Sequence, residues 1–328
     1  MVYIGIDISK STFVVAFRGK TGYQIRTFEN TVPGIRKFIN TLSSDEHHCI
    51  MEATGNYSSL LIYLLNQKNI IFSVVNPRQI KHFARMMLSV VKTDSLDACL
   101  IAKYGEKMTP PVYNMPSETI FMLKQKRSVI RHLRKQLTAT KNVRESMSVL
   151  PLVDKSCSKV ITKTISFLEI QIEKLETELN ELAKSEFSKQ MTALTSIKGI
   201  GPKLATSLII VTGGFNSFDN PKQVSRFLGI CPTYQQSGTS LNIRGSINRN
   251  GDPHLRSLLY VATWSAIRYN ASCKECYIRL KSRGKPSKVA LFAVANKLIR
   301  QAFAVVKQDS LYVDGVVSDH PQNMIEIL

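Results

Sequence analysis

Residues 2–8 alternate apolar Val2, Ile4, Ile6 and Ile8 with Tyr3, Gly5 and Asp7, the period-two pattern of a strand. Their near-continuous apolar character predicts a strand covered on both faces. A polar turn, Ser9–Thr12, precedes a second apolar run, Phe13–Phe17, and a third, Tyr23–Phe28, set off by Gly19 and Gly22. Together the three read as an antiparallel meander. Pro33 opens a helical pattern through Ile35, Phe38, Ile39 and Leu42. Cys49–Met51 reads as a short strand ending in Glu52, Tyr57–Leu65 as a helix, Ile70–Val75 as a strand closed by Asn76–Pro77, and Asp94–Tyr104 as a helix. Further on, Phe121–Arg144 forms a helix with Ile130, Leu133 and Leu137 on one face. Ile161, Ile165, Leu168, Ile172, Leu175, Leu179 and Leu182 then step by fours and threes. That heptad seam predicts a coiled coil, within the chain or between chains. Leu194–Leu208 is helix, Gly199-Ile200-Gly201, helix. Phe227–Arg256 is rich in Ser, Thr, Asn and Gly and reads as a loop. Trp264–Tyr269 and Val289–Val306 read as amphipathic helices.

The N-terminal order (three strands, helix, strand, helix, strand, helix) is that of an RNase H-like α/β fold. Charge sharpens the picture: 44 basic against 24 acidic residues leave a net +20, which points to a polyanionic partner, nucleic acid first. At 328 residues and 44% hydrophobic the chain has material for about two domains and is not disordered. No apolar run is expected to reach membrane-spanning length, and the N-terminus lacks the basic-then-apolar order of a signal peptide. The six cysteines are scattered, with one lone C-x-x-C at Cys273 and Cys276, so reduced thiols and a reducing cytosol are expected.

Candidate chemistry falls in three places. Asp7 and Glu52 are acids within or ending apolar strands; Asp94 and Asp97, three apart at a helix start, share a face. A salt-bridged core acid, a helix cap or a solvated face explains each one singly. Four together in so basic a chain suit a hard cation such as Mg²⁺. The second place is the run of Lys124, Lys126, Arg127, Arg131, Arg134 and Lys135, a candidate phosphate-binding face against the plainer alternative of a solvated helix. Lys198 and Lys203 flank the Gly-Ile-Gly turn, which resembles a helix-hairpin-helix element and serves equally well for packing alone. Third, Ser237-Gly238 lies in a stretch with no acid before Asp252 but with Arg244, Arg249 and Arg256. No histidine adjoins Ser237, His254 being the nearest, so Ser-His-Asp hydrolysis is poorly supported.

IGIDISK with MEATGNY and KTDSLDA resembles the DEDD, RuvC-like domain of IS110-type transposases, at Asp7, Glu52, Asp94 and Asp97. Gly229, Pro232, Ser237, Gly238, Gly251, Asp252, Leu255 and Arg256 resemble the pattern of the IS116/IS110/IS902 transposase domain, whose nucleophilic serine maps to Ser237; Ser240 and Ser246 lack the Ser-Gly context. The resemblance implies a RuvC-like domain at 1–110, a basic helix and coiled coil at 111–190, a mainly α transposase domain at 191–308 and a tail at 309–328. It implies Mg²⁺ on the four carboxylates, a covalent phosphoserine link to DNA, and donor and target DNA chosen by a structured non-coding bridge RNA. It also implies a homo-oligomer, dimer or tetramer, in the prokaryotic cytosol or nucleoid, with no membrane partner. Such chemistry requires Ser237 to meet the carboxylates, within or between subunits. The alternatives are a RuvC-like metal-dependent nuclease that uses water, with Ser237 structural, and a nucleic-acid-binding scaffold with a degenerate site.

Overall fold

The alternation at the N-terminus becomes β1 (Val2–Ile8), the middle strand of a five-stranded sheet. This computed structural model describes residues 1–314 except 54, 89–90, 238–240 and 249. Contacts divide the chain into two units, 1–115 and 116–328.

In the first unit β1 pairs antiparallel with β2 (Thr12–Arg18), which pairs antiparallel with β3 (Tyr23–Glu29). Helix α1 (Val32–Ile39) follows, its Thr31 side chain accepting from Gly34 N and Pro33 lying in the first turn. On the other side β1 runs parallel to β4 (His47–Glu52), and β4 parallel to β5 (Ile71–Val75), giving the order β3-β2-β1-β4-β5. A 3-10 turn (Gly55–Ser58) leads into α2 (Ser59–Gln67) between these two strands. Helices α3 (Pro77–Met86) and α4 (Asp94–Met108) follow β5. Asn76–Pro77, expected to close a strand, instead open helix α3, which the sequence pattern does not predict. Those two residues are in fact its N-cap and first turn, with the Asn76 side chain accepting from Arg78 N at 2.9 Å.

Both faces of β1 are covered, as its composition predicts. Ile4, Ile6 and Ile8 pack with Phe13, Val15, Ile35, Phe38 and Leu61 on one side. The other side carries Tyr3, Gly5 and Asp7 beneath α4. There Val14 and Ala16 of β2 pack against Ala98 and Ala102. A Cβ on Gly5 would lie 2.0 Å from the Ala98 carbonyl and 2.4 Å from the Ala102 nitrogen, so only glycine lets α4 settle this close. After α4 the chain covers the outer strand: Tyr113 N donates to Phe72 O at 2.8 Å, and Ser73 Oγ donates to Pro111 O at 2.7 Å.

The second unit is mostly helical. Helices α5 (Glu118–Ser148) and α6 (Lys155–Glu186) pack antiparallel as a long hairpin. Ile165, Leu168, Ile172 and Leu179 of the heptad seam are buried, and Leu175 and Leu182 pack against the same core. Short helices α7 (Ser188–Ser196), α8 (Pro202–Thr212) and α9 (Pro221–Phe227) follow. The stretch read as a loop is instead a hairpin of β6 (Pro232–Ser237) and β7 (Leu241–Ile247), then the start of α10 (Pro253–Tyr269). Leu241, Ile243 and Ile247 keep strand period, but the surrounding Ser, Asn and Gly mask it. Helices α11 (Ala271–Ser282) and α12 (Ser287–Lys307) complete the described core, with Cys273 and Cys276 buried as free thiols on α11. Contrary to the sequence reading, α12 is long and apolar enough to cross a membrane. Its apolar side is the spine of this unit's core, where Leu291, Val294, Leu298 and Ile299 are buried.

Gly5→Ala is expected to destabilise the first unit by about 3 kcal/mol, because the clash is with backbone that no rotamer relieves. Urea unfolding followed by circular dichroism checks this.

Candidate active site

Parallel pairing brings the first two acids level. Ile6 lies beside Met51, so Asp7 and Glu52, one residue further along each strand, stand at the carboxyl ends of neighbouring strands, on the same face. Ligands of open α/β sheets gather at that edge. Helix α4 brings the other pair. Thr93 caps it, accepting from Leu96 N, so Asp94 and Asp97 fall in the first turn. The contact at Gly5 then sets that turn by the end of β1.

The four acids act on one another electrostatically. Burial pushes the Asp7 carboxyl up to about 6, and the charges of Asp97, Asp94 and Glu52 add to the push against the opposing Ile8 N–H. Burial also raises Glu52, with Lys92 pulling it back and Asp97 pushing it up. Asp97 is raised by burial, relieved in part by Lys92 and pushed by Asp94. Lys92 is the cation that the sequence reading missed; an exposed lysine next to an acidic helix start carries no local signal. The donor set is all carboxylate oxygen with net negative charge, which fits a hard divalent ion. Among the described residues no three potential ligands close around one point, so the four acids form an acidic basin.

In the second unit, Ser237 ends β6, its Cα paired with Leu241, and Arg244 lies on β7 opposite Tyr234. Gly238, Ser240, Arg249 and the tail beyond 314 lie outside the described residues. The base of this hairpin is locked. Gly229 has φ +69°, and a Cβ there would lie 2.3 Å from the Asn248 carbonyl. Asn248 N donates to Cys231 O at 2.7 Å. Arg256 Nη1 donates to the Gly251 carbonyl at 2.6 Å and approaches that of Leu228 at 3.5 Å, so this candidate phosphate ligand binds its own backbone. Asp252 caps α10, accepting from His254 N and Leu255 N, and pairs with Arg127 at 2.8 Å and Arg131 at 3.8 Å. Burial alone would raise the Asp252 carboxyl, but Arg127 and those two N–H groups hold it below the usual range.

Other candidate cations are also engaged. Lys126 pairs with Glu178, Arg134 with Glu176, and Lys141 with Glu169 at 2.6 Å, all across the α5–α6 hairpin. Lys124, Lys135, Lys198 and Lys203 are exposed. The Gly-Ile-Gly turn packs Gly199 against Ala266 of α10, while Gly201 stays open.

An acid-lined sheet edge in a chain of net charge +20 is the equipment of an enzyme that handles nucleic-acid phosphates, and comparison with known sequences agrees. Residues 4–147 match the IS110-type DEDD transposase family and residues 191–278 the transposase IS116/IS110/IS902 family, together more than two thirds of the chain. The chain belongs to the IS110 family of transposases; it is a DNA transposase/recombinase, and its N-terminal domain type points to a divalent metal. It is 29% identical over 316 residues to the pilin gene-inverting protein of Moraxella bovis, covering 94% of this chain and 96% of that one. The transposase for insertion sequence element IS1111A of Coxiella burnetii is 22% identical over 343 residues, covering 95% and 91%. An insertion element IS110 protein of Streptomyces coelicolor is 24% identical over 152 residues, covering 46% and 37%.

A carboxyl raised in the folded state stabilises fully below its unfolded value, and that contribution is lost as pH rises through about 6. Asp7→Asn is therefore expected to raise the melting temperature of the metal-free protein at pH 7, by roughly 2–4 °C after solvent screening. The gain should fade toward pH 4, while strand transfer is lost; thermal melts across pH check the sign. Asp252→Asn keeps the cap but strands Arg127, and is expected to cost about 2–3 kcal/mol at pH 7 by urea denaturation.

Proposed function

We propose that the chain cuts and rejoins DNA through a covalent phosphoserine intermediate on Ser237. Asp7 and Glu52 on β1 and β4, with Asp94 and Asp97 in the first turn of α4, support the metal-assisted part of this reading, and the transposase-family match over residues 191–278 supports Ser237 as nucleophile. Asp7, Glu52, Asp94 and Asp97 would hold Mg²⁺, which when bound screens phosphate charge and lowers the pKa of a coordinated hydroxyl. The Ser237 hydroxyl attacks phosphorus, the phosphorus–oxygen ester bond to the departing strand breaks, and the serine proton leaves with that strand's oxygen. The ester bond retained on Ser237 conserves the energy for rejoining, when an incoming hydroxyl displaces the serine. The clamp of Gly229, Asp252 and Arg256 positions the hairpin that carries Ser237.

The sheet order fits an RNase H-like, RuvC-like domain, and the α5–α6 seam fits a coiled coil formed within one chain. A structured bridge RNA would choose the donor and target DNA, drawing on the exposed lysines and the large positive charge. A homo-oligomer working in the bacterial cytosol completes the reading.

Wild-type protein with end-labelled DNA and Mg²⁺ is expected to give a shifted covalent adduct on a denaturing gel, and Ser237→Ala is expected to abolish it. Metal-dependent nicking that persists in Ser237→Ala without an adduct would instead assign a water nucleophile.

A further inference from the structure

Between α5, α6, α8 and the start of α10 lies a cavity of about 100 Å³, several times the roughly 10–15 Å³ that seats one water. Arg127, Arg131 and Arg134 of α5, Lys203 of α8 and His254 of α10 line it, with Glu176 as the acid among the lining residues. Glu176 pairs with Arg134, and Asp252, just outside, pairs with Arg127 and Arg131. Four permanent cations thus face two carboxylates. Arg127 Nε and Arg134 Nε are shut from solvent and have no hydrogen-bond acceptor among the described residues, while Arg127 Nη2 lies 2.8 Å from the Asp252 carboxylate. A buried guanidinium N–H without an acceptor is uncommon and calls for a partner. Apolar Ile130, Leu179 and Ile210 form other walls and strengthen the local field. The His254 ring reports that field: burial and Arg127 push its pKa down, Asp252 opposes, and Arg131 and Arg134 add to the fall.

We propose that this cavity seats one phosphate group of a nucleic-acid backbone. It has room for a four-oxygen anion, and planar guanidiniums match phosphate oxygens through paired N–H donors. The exposed Lys124 and Lys135 extend the positive charge along α5, which favours a polymer over a free ion. The inference rests on the reading that this chain handles nucleic-acid strands, and adds a phosphate seat apart from the carboxylate basin.

The test uses the full chain without divalent metal, so that binding is read without chemistry. Affinity for a labelled DNA duplex and a labelled RNA hairpin is measured between about 50 and 200 mM salt. Arg134→Gln and Lys203→Gln are each expected to lower the slope of log affinity against log salt by about one for at least one of the two probes. Lys274→Gln, an exposed cation on α11 outside the cavity, serves as the control and is expected to leave that change absent. Lys203 is exposed, so its variant does not depend on how the Arg134–Glu176 pair tolerates change. Inorganic phosphate is expected to compete with the probe and to raise the wild-type melting temperature saturably, but not that of Arg134→Gln. Unchanged slopes in both variants would overturn the proposal; phosphate stabilisation with unchanged slopes would reassign the cavity to a free small anion. A missing covalent adduct with the slope changes intact would sink the Ser237 mechanism and leave this seat standing.

Discussion

The backbone contact between α4 and β1 at Gly5 is the constraint on which the N-terminal site depends. A helix normally rides on a sheet at the distance its side chains dictate. Here Ala98 and Ala102 meet a strand residue with no side chain, and the helix sinks until backbone nears backbone. That depth puts the first turn of α4 beside the ends of β1 and β4. Asp97, and Asp94 from its exposed position, then add their charges to the surroundings of Asp7. Crowding four carboxylates gives up stability, a cost common where a site is shaped for function rather than for packing.

Asp252 plays the corresponding part in the second unit. One carboxylate caps α10, neutralises Arg127 and Arg131, and so ties the long α5 helix to the base of the β6–β7 hairpin. The motif around it is thus largely architectural. Gly229 permits a tight backbone crossing, Leu255 fills the core and Arg256 binds carbonyl oxygens. The basic face of α5 teaches a related lesson: Lys126 and Lys141 answer glutamates of α6, so a high net charge is not a roster of phosphate contacts.

Much of this was legible along the chain. Strands β1, β2 and β4 announce themselves by period and burial, and acids at the ends of apolar strands stand out because burying them is costly. The helix α3 escaped notice because it is mostly polar, with Ile80 and Phe83 as its buried residues. The hairpin escaped because turn-forming residues dilute its alternation. The cross-hairpin pairs join residues 42 and 52 positions apart for Arg134–Glu176 and Lys126–Glu178, beyond the reach of local periodicity. The heptad seam specified a packed helix but left its partner open, and packing supplied α5.

The segment that lies along β5 limits how copies of this unit can associate. Tyr113 occupies a backbone acceptor of that strand, and Ser73 reaches the carbonyl of Pro111, with Pro110 and Pro111 contributing no amide hydrogens of their own. A row of free strand groups would otherwise invite another chain to add on. On this margin the ladder has a built-in terminator, so a further strand cannot simply extend the sheet past β5.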